Sequence, residues 1–139
     1  MGLATNLTKK STSLFILNER NLSLLQKRVI LFSGIPQEDI KMVYLKVGES
    51  EGQRIDMCTT ILGMKHIDSK PILVFLHGYA ASAVLYYKMY KKLLERFTII
   101  CVDHVGMGAS TRAKNYNADT ITPQESIDYF VGYIEQWRK

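Results

Sequence analysis

Two short apolar runs, "ILVFL" at 72–76 and "FTIICV" at 97–102, constrain the fold of this chain more than any other feature. Neither alternates apolar with polar residues. A strand without alternation needs cover on both faces, as in a parallel sheet with helices on its two sides. Between the runs, Leu85, Met89 and Leu93, together with Tyr86, Tyr90 and Leu94, recur at helical spacing, with Lys88, Lys91, Lys92 and Arg96 on the opposite face. Strand, helix and strand within about thirty residues predict a βαβ crossover, right-handed by the general rule.

The flanking sequence supplies the remaining elements. "KMVYLKV" (41–47) and "RIDMCTTIL" (54–62) alternate apolar with polar residues across "GESEGQ", which predicts a half-exposed antiparallel hairpin. "GMKHIDSKP" then reads as a turn. At "TPQE", Thr122 is an N-cap, Pro123 takes the first helical position and Glu125 completes a capping box, so a helix spans 123–137 with Ile127, Phe130, Val131, Ile134 and Trp137 on its apolar face. Upstream, Leu22, Leu25, Val29 and Phe32, with Lys27 and Arg28 between them, mark a short amphipathic helix. That pattern suits a helix lying on a membrane as well as one packed on its own domain, and packing is the favoured reading. Residues 1–13 are small and polar, a loose arm. The organisation predicted is an arm and helix over 1–36, then an α/β unit over 37–139.

Composition excludes several function classes. With 139 residues, 47% apolar and 22% charged, the chain has the content of one globular domain. The net charge of +5 and pI near 9.2 reflect basic residues spread over helix faces, with no basic and aromatic cluster for nucleic acid. Cys58 and Cys101 are too far apart for a CxxC motif and read as buried free thiols in a reducing, cytoplasmic setting. No apolar stretch has signal-peptide or membrane-spanning length, so the sequons at Asn6 and Asn21 are not expected to meet a glycosylation enzyme; "MGLATN" resembles a myristoylation start but has Asn6 where Ser or Thr belongs. His66, His77 and His104 match no metal-ligand spacing, and no metal or cofactor is expected.

Three motif readings of "VDHVGMGAST" (102–111) fail on particular residues. A dinucleotide loop needs a third glycine where Thr111 stands, and no Gly-Lys pair exists for a phosphate-binding P-loop. A nucleophile elbow needs glycine two residues after the serine, but Ser110 is followed there by Arg112, so its hydroxyl is expected to satisfy backbone groups in a turn. "LHGYAAS" (76–82) carries more. A strand ending in His77-Gly78, followed by small residues and a helix, sets the backbone N–H groups of Tyr79 and Ala80 at the carboxyl edge of the sheet, where fixed donors stabilise an oxyanion. Asp103 and His77, both at strand ends, are expected to share a hydrogen bond that joins two loops.

Together these motifs resemble the N-terminal half of an α/β-hydrolase. His77-Gly78 matches the family's His-Gly after the third strand, and Asp103, Gly106, Gly108 and Ser110 match its D-x-x-G-x-G-x-S after the fourth. "ESIDYFVGYIEQWRK" is similar to a helix in the branch of the lipid-droplet lipase activator and the N-acyl-phospholipid lysophospholipase. The resemblance runs from Gln37 to Lys139 and departs from the branch at Ala109, where arginine is usual. It implies a partial α/β-hydrolase fold with an incomplete sheet. It also implies an oxyanion-hole donor at Tyr79, with Ala80 as a second candidate, and loop-structuring roles for His77, Gly78, Asp103, Gly106, Gly108 and Ser110. The triad would lie beyond Lys139, so no catalytic residue is expected within the chain. The implied function is a fragment of a lipid-acting serine hydrolase, of carboxylic ester hydrolase, lysophospholipase or acyltransferase type, inactive as it stands. The alternative is a non-catalytic protein like the lipase activator. The implied partners are a lipid or acyl-ester substrate and a membrane or lipid-droplet surface. In the family's strand order "ILVFL" would be an exposed edge open to self-association, and Trp137 would be exposed as well.

Overall fold

The computed structural model describes residues 19–139. The arm at 1–13, the sequon at Asn6 and the myristoylation-like start lie outside the described residues. Helix α1 (Glu19–Leu31) comes first, then β1 (Ile40–Ser50), β2 (Gln53–Leu62), β3 (Ile72–Leu76), α2 (Tyr87–Leu93), β4 (Thr98–Val102) and α3 (Pro123–Arg138). The sheet order is β1-β2-β4-β3, antiparallel across β1/β2 and β2/β4 and parallel across β3/β4. This is the predicted architecture: a hairpin, then a crossover, then a terminal helix on an open α/β sheet.

The hairpin is longer than the alternation suggested. Most of "GESEGQ" is strand, and the reversal is confined to Glu51 (φ 50°) and Gly52 (φ 72°), the paired positive φ values of a two-residue turn that follows strand twist. Opposite charges at Glu49 and Arg54 face each other across the ladder, and a register shift between Lys46 and Gly48 absorbs the extra residue.

The two faces of the sheet are covered differently. On one, Leu62, Ile99 and Cys101 pack beneath Ile30 of α1 and Tyr90 of α2. On the other, Val47, Ile55, Met57 and Val102 pack under α3. β3 is an edge strand, as is β1, and its Ile72, Val74 and Leu76 are 50%, 44% and 42% exposed while Phe75 turns inward, so the expected apolar edge is present.

Three helix faces differ from expectation. α3 docks through Tyr129, Tyr133 and Trp137, an i, i+4, i+8 aromatic row, and leaves Ile127 and Val131 outside. Trp137 is therefore not left exposed: it is half-buried and its Nε1 donates to Thr59 Oγ1 at 2.9 Å. In α1 the buried row is Gln26 and Ile30, so Leu25, and Phe32 in the turn that follows, point outward. In the second helical stretch a 3-10 turn over Ala83–Tyr86 precedes α2, and Leu85 and Met89 are exposed while Ala83 and Tyr90 are buried. Hydrophobic spacing alone cannot choose between two adjacent helix rows. The choice was made by polar contacts, Gln26 to Asp103 and Tyr90 Oη to the Ala83 carbonyl.

Both cysteines are free, 1% exposed, and burial pushes each thiol up to about 12. Thiolates are the reactive form. The folded chain is therefore expected to resist a thiol-specific disulfide reagent at pH 8, with both sulfurs titrating only in denaturant; stoichiometric reaction before unfolding would show that the sheet opens there.

Candidate functional site

The site begins where β3 and β4 end. The chain leaves β4 through Asp103, whose side chain is fully buried. Its Oδ1 accepts the Ala83 N–H at 2.6 Å, and its Oδ2 accepts Gln26 Nε2 at 2.7 Å and the Ala109 N–H at 2.8 Å. Ala83 opens the 83–86 turn, where Ser82 gives no side-chain cap, so a carboxylate from another strand caps this helical stretch. Gly108 (φ 52°) makes room for it: a β-carbon there would overlap the Asp103 carboxyl group.

The rest of the 103–111 loop is tied to β2. Ser110 is buried, its Oγ donating to the Asp103 carbonyl at 2.6 Å and accepting the Cys58 N–H at 2.8 Å. Gly106 (φ 82°) donates its N–H to the Thr111 carbonyl at 2.9 Å, and Thr111 Oγ1 accepts the Asp56 N–H at 3.1 Å. Both bonding capacities of the Ser110 hydroxyl are thus used on backbone.

His77 and Asp103 are both buried, but they do not form the expected hydrogen bond: Nε2 and Oδ1 stand 3.7 Å apart. The loops are joined instead by a reciprocal pair of histidines. The His104 N–H donates to His77 Nε2 at 3.1 Å, while His104 Nε2–H donates to the His77 carbonyl at 2.7 Å. His77 Nε2 is therefore an acceptor, and its Nδ1–H donates to the Gly78 carbonyl at 2.7 Å. His104 Nδ1 is buried with no partner among the described residues, and burial, then the His77 ring, holds the His104 pKa below its ordinary 6.5.

The segment between these two anchors is the turn Gly78–Ala81, closed by the Ala81 N–H on the Gly78 carbonyl at 3.3 Å. Ala80 sits at φ 56°, a left-handed conformation that costs a non-glycine residue about 1–2 kcal/mol. Among the described residues no acceptor takes the N–H of Tyr79 or of Ala80. Both residues line a pocket of about 370 Å³, whose walls include Val105, Met107, Tyr116 and Phe130. Two donors without a protein acceptor, at a cavity lined by aromatic and apolar side chains and by Arg112, can hold a carbonyl oxygen or an oxyanion.

The sequence reasoning brought Tyr79, Ala80, His77, Gly78 and the Asp103 loop to one place, and the structure puts them there. It missed Gln26, the clasp role of His104 and the aromatic wall. A lone glutamine in an apolar helix row was the readable signal for the first; the other two depend on tertiary placement. No group of three or more His, Cys, Asp or Glu side chains suited to a metal occurs among the described residues.

Residues 71–137 match the model of the alpha/beta hydrolase fold family. A 1-acylglycerol-3-phosphate O-acyltransferase of Arabidopsis thaliana is 30% identical over 117 residues, which is 82% of this chain and 25% of the relative. A probable 1-acylglycerol-3-phosphate O-acyltransferase of Oryza sativa subsp. japonica is 33% identical over 72 residues, 52% of this chain and 17% of the relative. The chain thus spans a quarter or less of the length of these curated relatives. The crystal structure of a membrane phospholipase A, a bacterial virulence factor, superposes with a TM-score of 0.55 at 15% identity, covering 96% of this chain and 37% of that one. The fold is a partial α/β-hydrolase fold.

The lowered His104 pKa sets a pH dependence. Below pH 6.5 the unfolded chain takes up this proton more readily than the folded one, so the contribution is complete above that pH and is lost as pH falls. Urea unfolding should show declining stability from pH 7.5 to 5.5. In His104→Gln, which keeps a donor for the His77 carbonyl, part of that decline should vanish; an unchanged decline would assign it elsewhere.

Proposed function

We propose that this chain supplies the oxyanion-stabilising part of a lipid-acting protein of the α/β-hydrolase type, handling acyl esters of glycerophospholipids. One observation carries the reading. The turn Gly78–Ala81 holds two adjacent backbone N–H groups without acceptors at the mouth of an aromatic pocket. It is pinned on one side by the His77–His104 clasp and on the other by Asp103 on Ala83. Acyl transfer places negative charge on the former carbonyl oxygen, and donors already fixed in place stabilise that charge without reorganising. Val105, Met107 and Phe130 offer an apolar wall for an acyl chain. The names of the plant relatives support the substrate class. The paired His-Gly and D-x-x-G-x-G-x-S motifs support the α/β-hydrolase type, and the "EQWR" helix end alone favours placement beside the lipase activator and the lysophospholipase.

In this reading the described residues provide no nucleophile. Among them no serine or cysteine is hydrogen-bonded to a histidine ring, Ser110 is locked on backbone, and His77 and His104 are committed to each other. The 139 residues alone are therefore expected to form no acyl-enzyme; the alternative reading is a non-catalytic, activator-like protein.

A fluorophosphonate probe should leave the 139-residue chain unlabelled, whereas in an amide-resolved titration a lysophosphatidate should shift the Tyr79 and Ala80 N–H signals, an effect lost in Tyr79→Pro. Stoichiometric labelling of Ser82 or Ser110 would overturn the first half, and a titration that leaves both amides unmoved would overturn the second.

A further inference from the structure

The two helical stretches on one face of the sheet present outer sides that are apolar where solvated helices are polar. Along α1 and the turn after it, Leu24 (61% exposed), Leu25, Arg28 and Phe32 (84% exposed) lie outward, opposite buried Gln26 and Ile30. Along 83–93, Leu85 (59% exposed), Lys88, Met89 and Lys92 do the same, opposite Ala83 and Tyr90. The stretches lie side by side. Leu22 and Leu85 line one depression, and Lys91 Nζ lies 3.3 Å from where a β-carbon on Gly34 would stand, two residues beyond Phe32.

Charge is concentrated in the same segments, with Arg28, Lys88 and Lys92 on the outer sides. Residues 21–36 and 79–97 contain Lys27, Arg28, Lys88, Lys91, Lys92 and Arg96 against the single acid Glu95. Their excess of five positive charges equals the whole formal net charge of +5, so the rest of the chain is balanced, twelve basic residues against twelve acidic. Glu95 pairs with Lys92 at 2.9 Å, and both are exposed. α3, by contrast, carries Glu125, Asp128 and Glu135 against the single base Arg138.

We infer that this surface docks the chain onto an anionic phospholipid bilayer. Singly exposed apolar side chains are ordinary. Leucine, phenylalanine and methionine on two adjoining helical stretches, interleaved with cations that outnumber the single acid, form the pattern of an interfacial helix pair. The apolar tips enter the boundary between headgroups and acyl chains while lysines reach the phosphates. The depression that begins at Leu22 and Leu85 continues to Ala80 and Arg112, so docking sets the turn Gly78–Ala81 beside the lipid. The inference stands on exposure and charge, and does not require the acyl-transfer reading.

Sedimentation with vesicles tests it. The 139-residue chain should pellet with phosphatidylcholine vesicles carrying about 30 mol % phosphatidylserine and bind at least about tenfold more weakly to pure phosphatidylcholine. Phe32→Ser and the double variant Lys88→Glu/Lys92→Glu should each weaken binding about tenfold or more, with unchanged circular dichroism because these side chains are exposed. Lys114→Glu, in the 103–122 loop, should bind as the parent does. Absence of binding, equal binding to both vesicle types, or equal losses in the Lys114 variant and the double variant would overturn the proposal.

Discussion

A carboxylate taken out of water persists only where hydrogen-bond donors replace its hydration, and here Asp103 has three, each from a different segment. Gln26 brings α1, Ala83 brings the start of the second helical stretch, and Ala109 brings the loop after β4. None of these segments is near another in sequence. The carboxylate therefore does more than cap a helix: it fixes where three elements meet at the carboxyl end of the sheet. Gly108 is part of the same requirement, since any side chain there would occupy the carboxylate's position.

The candidate site inherits its order from that junction. Ala80 is held in a left-handed conformation it would not choose, and such a conformation persists only where neighbouring contacts over-determine it. Those contacts are the Asp103 bond to Ala83 on one side and the histidine clasp on the other. A flexible turn would lose donor alignment whenever it relaxed. The clasp also explains the placement of a second histidine directly after Asp103, because His104 donates from both backbone and ring.

Much of the architecture was legible because its signals are local. Unalternating "ILVFL" marked β3, the capping box at Thr122–Glu125 marked α3, and His77-Gly78 with the Asp103 loop marked the site. Helix rotation was not legible. Leu25, Phe32, Leu85 and Met89 look like core on spacing alone, and only the bond from Gln26 to Asp103 and the burial of Tyr90 turn them outward. The same limit applied to α3, where an aromatic row displaced the aliphatic one because Tyr129, Tyr133 and Trp137 fill the space above Val47 and Met57. Sequence also overstated the direct link between His77 and Asp103; two strand ends side by side leave room for several pairings, and side-chain reach decided for His104.

Hydrogen exchange resolved along the backbone of Asp103→Asn tests the central claim most directly. If one carboxylate holds the junction, exchange should accelerate together in α1, in residues 79–86 and in 104–110, while the β1–β2 hairpin keeps its protection. Acceleration spread evenly over the chain, or confined to the loop after β4, would contradict the account.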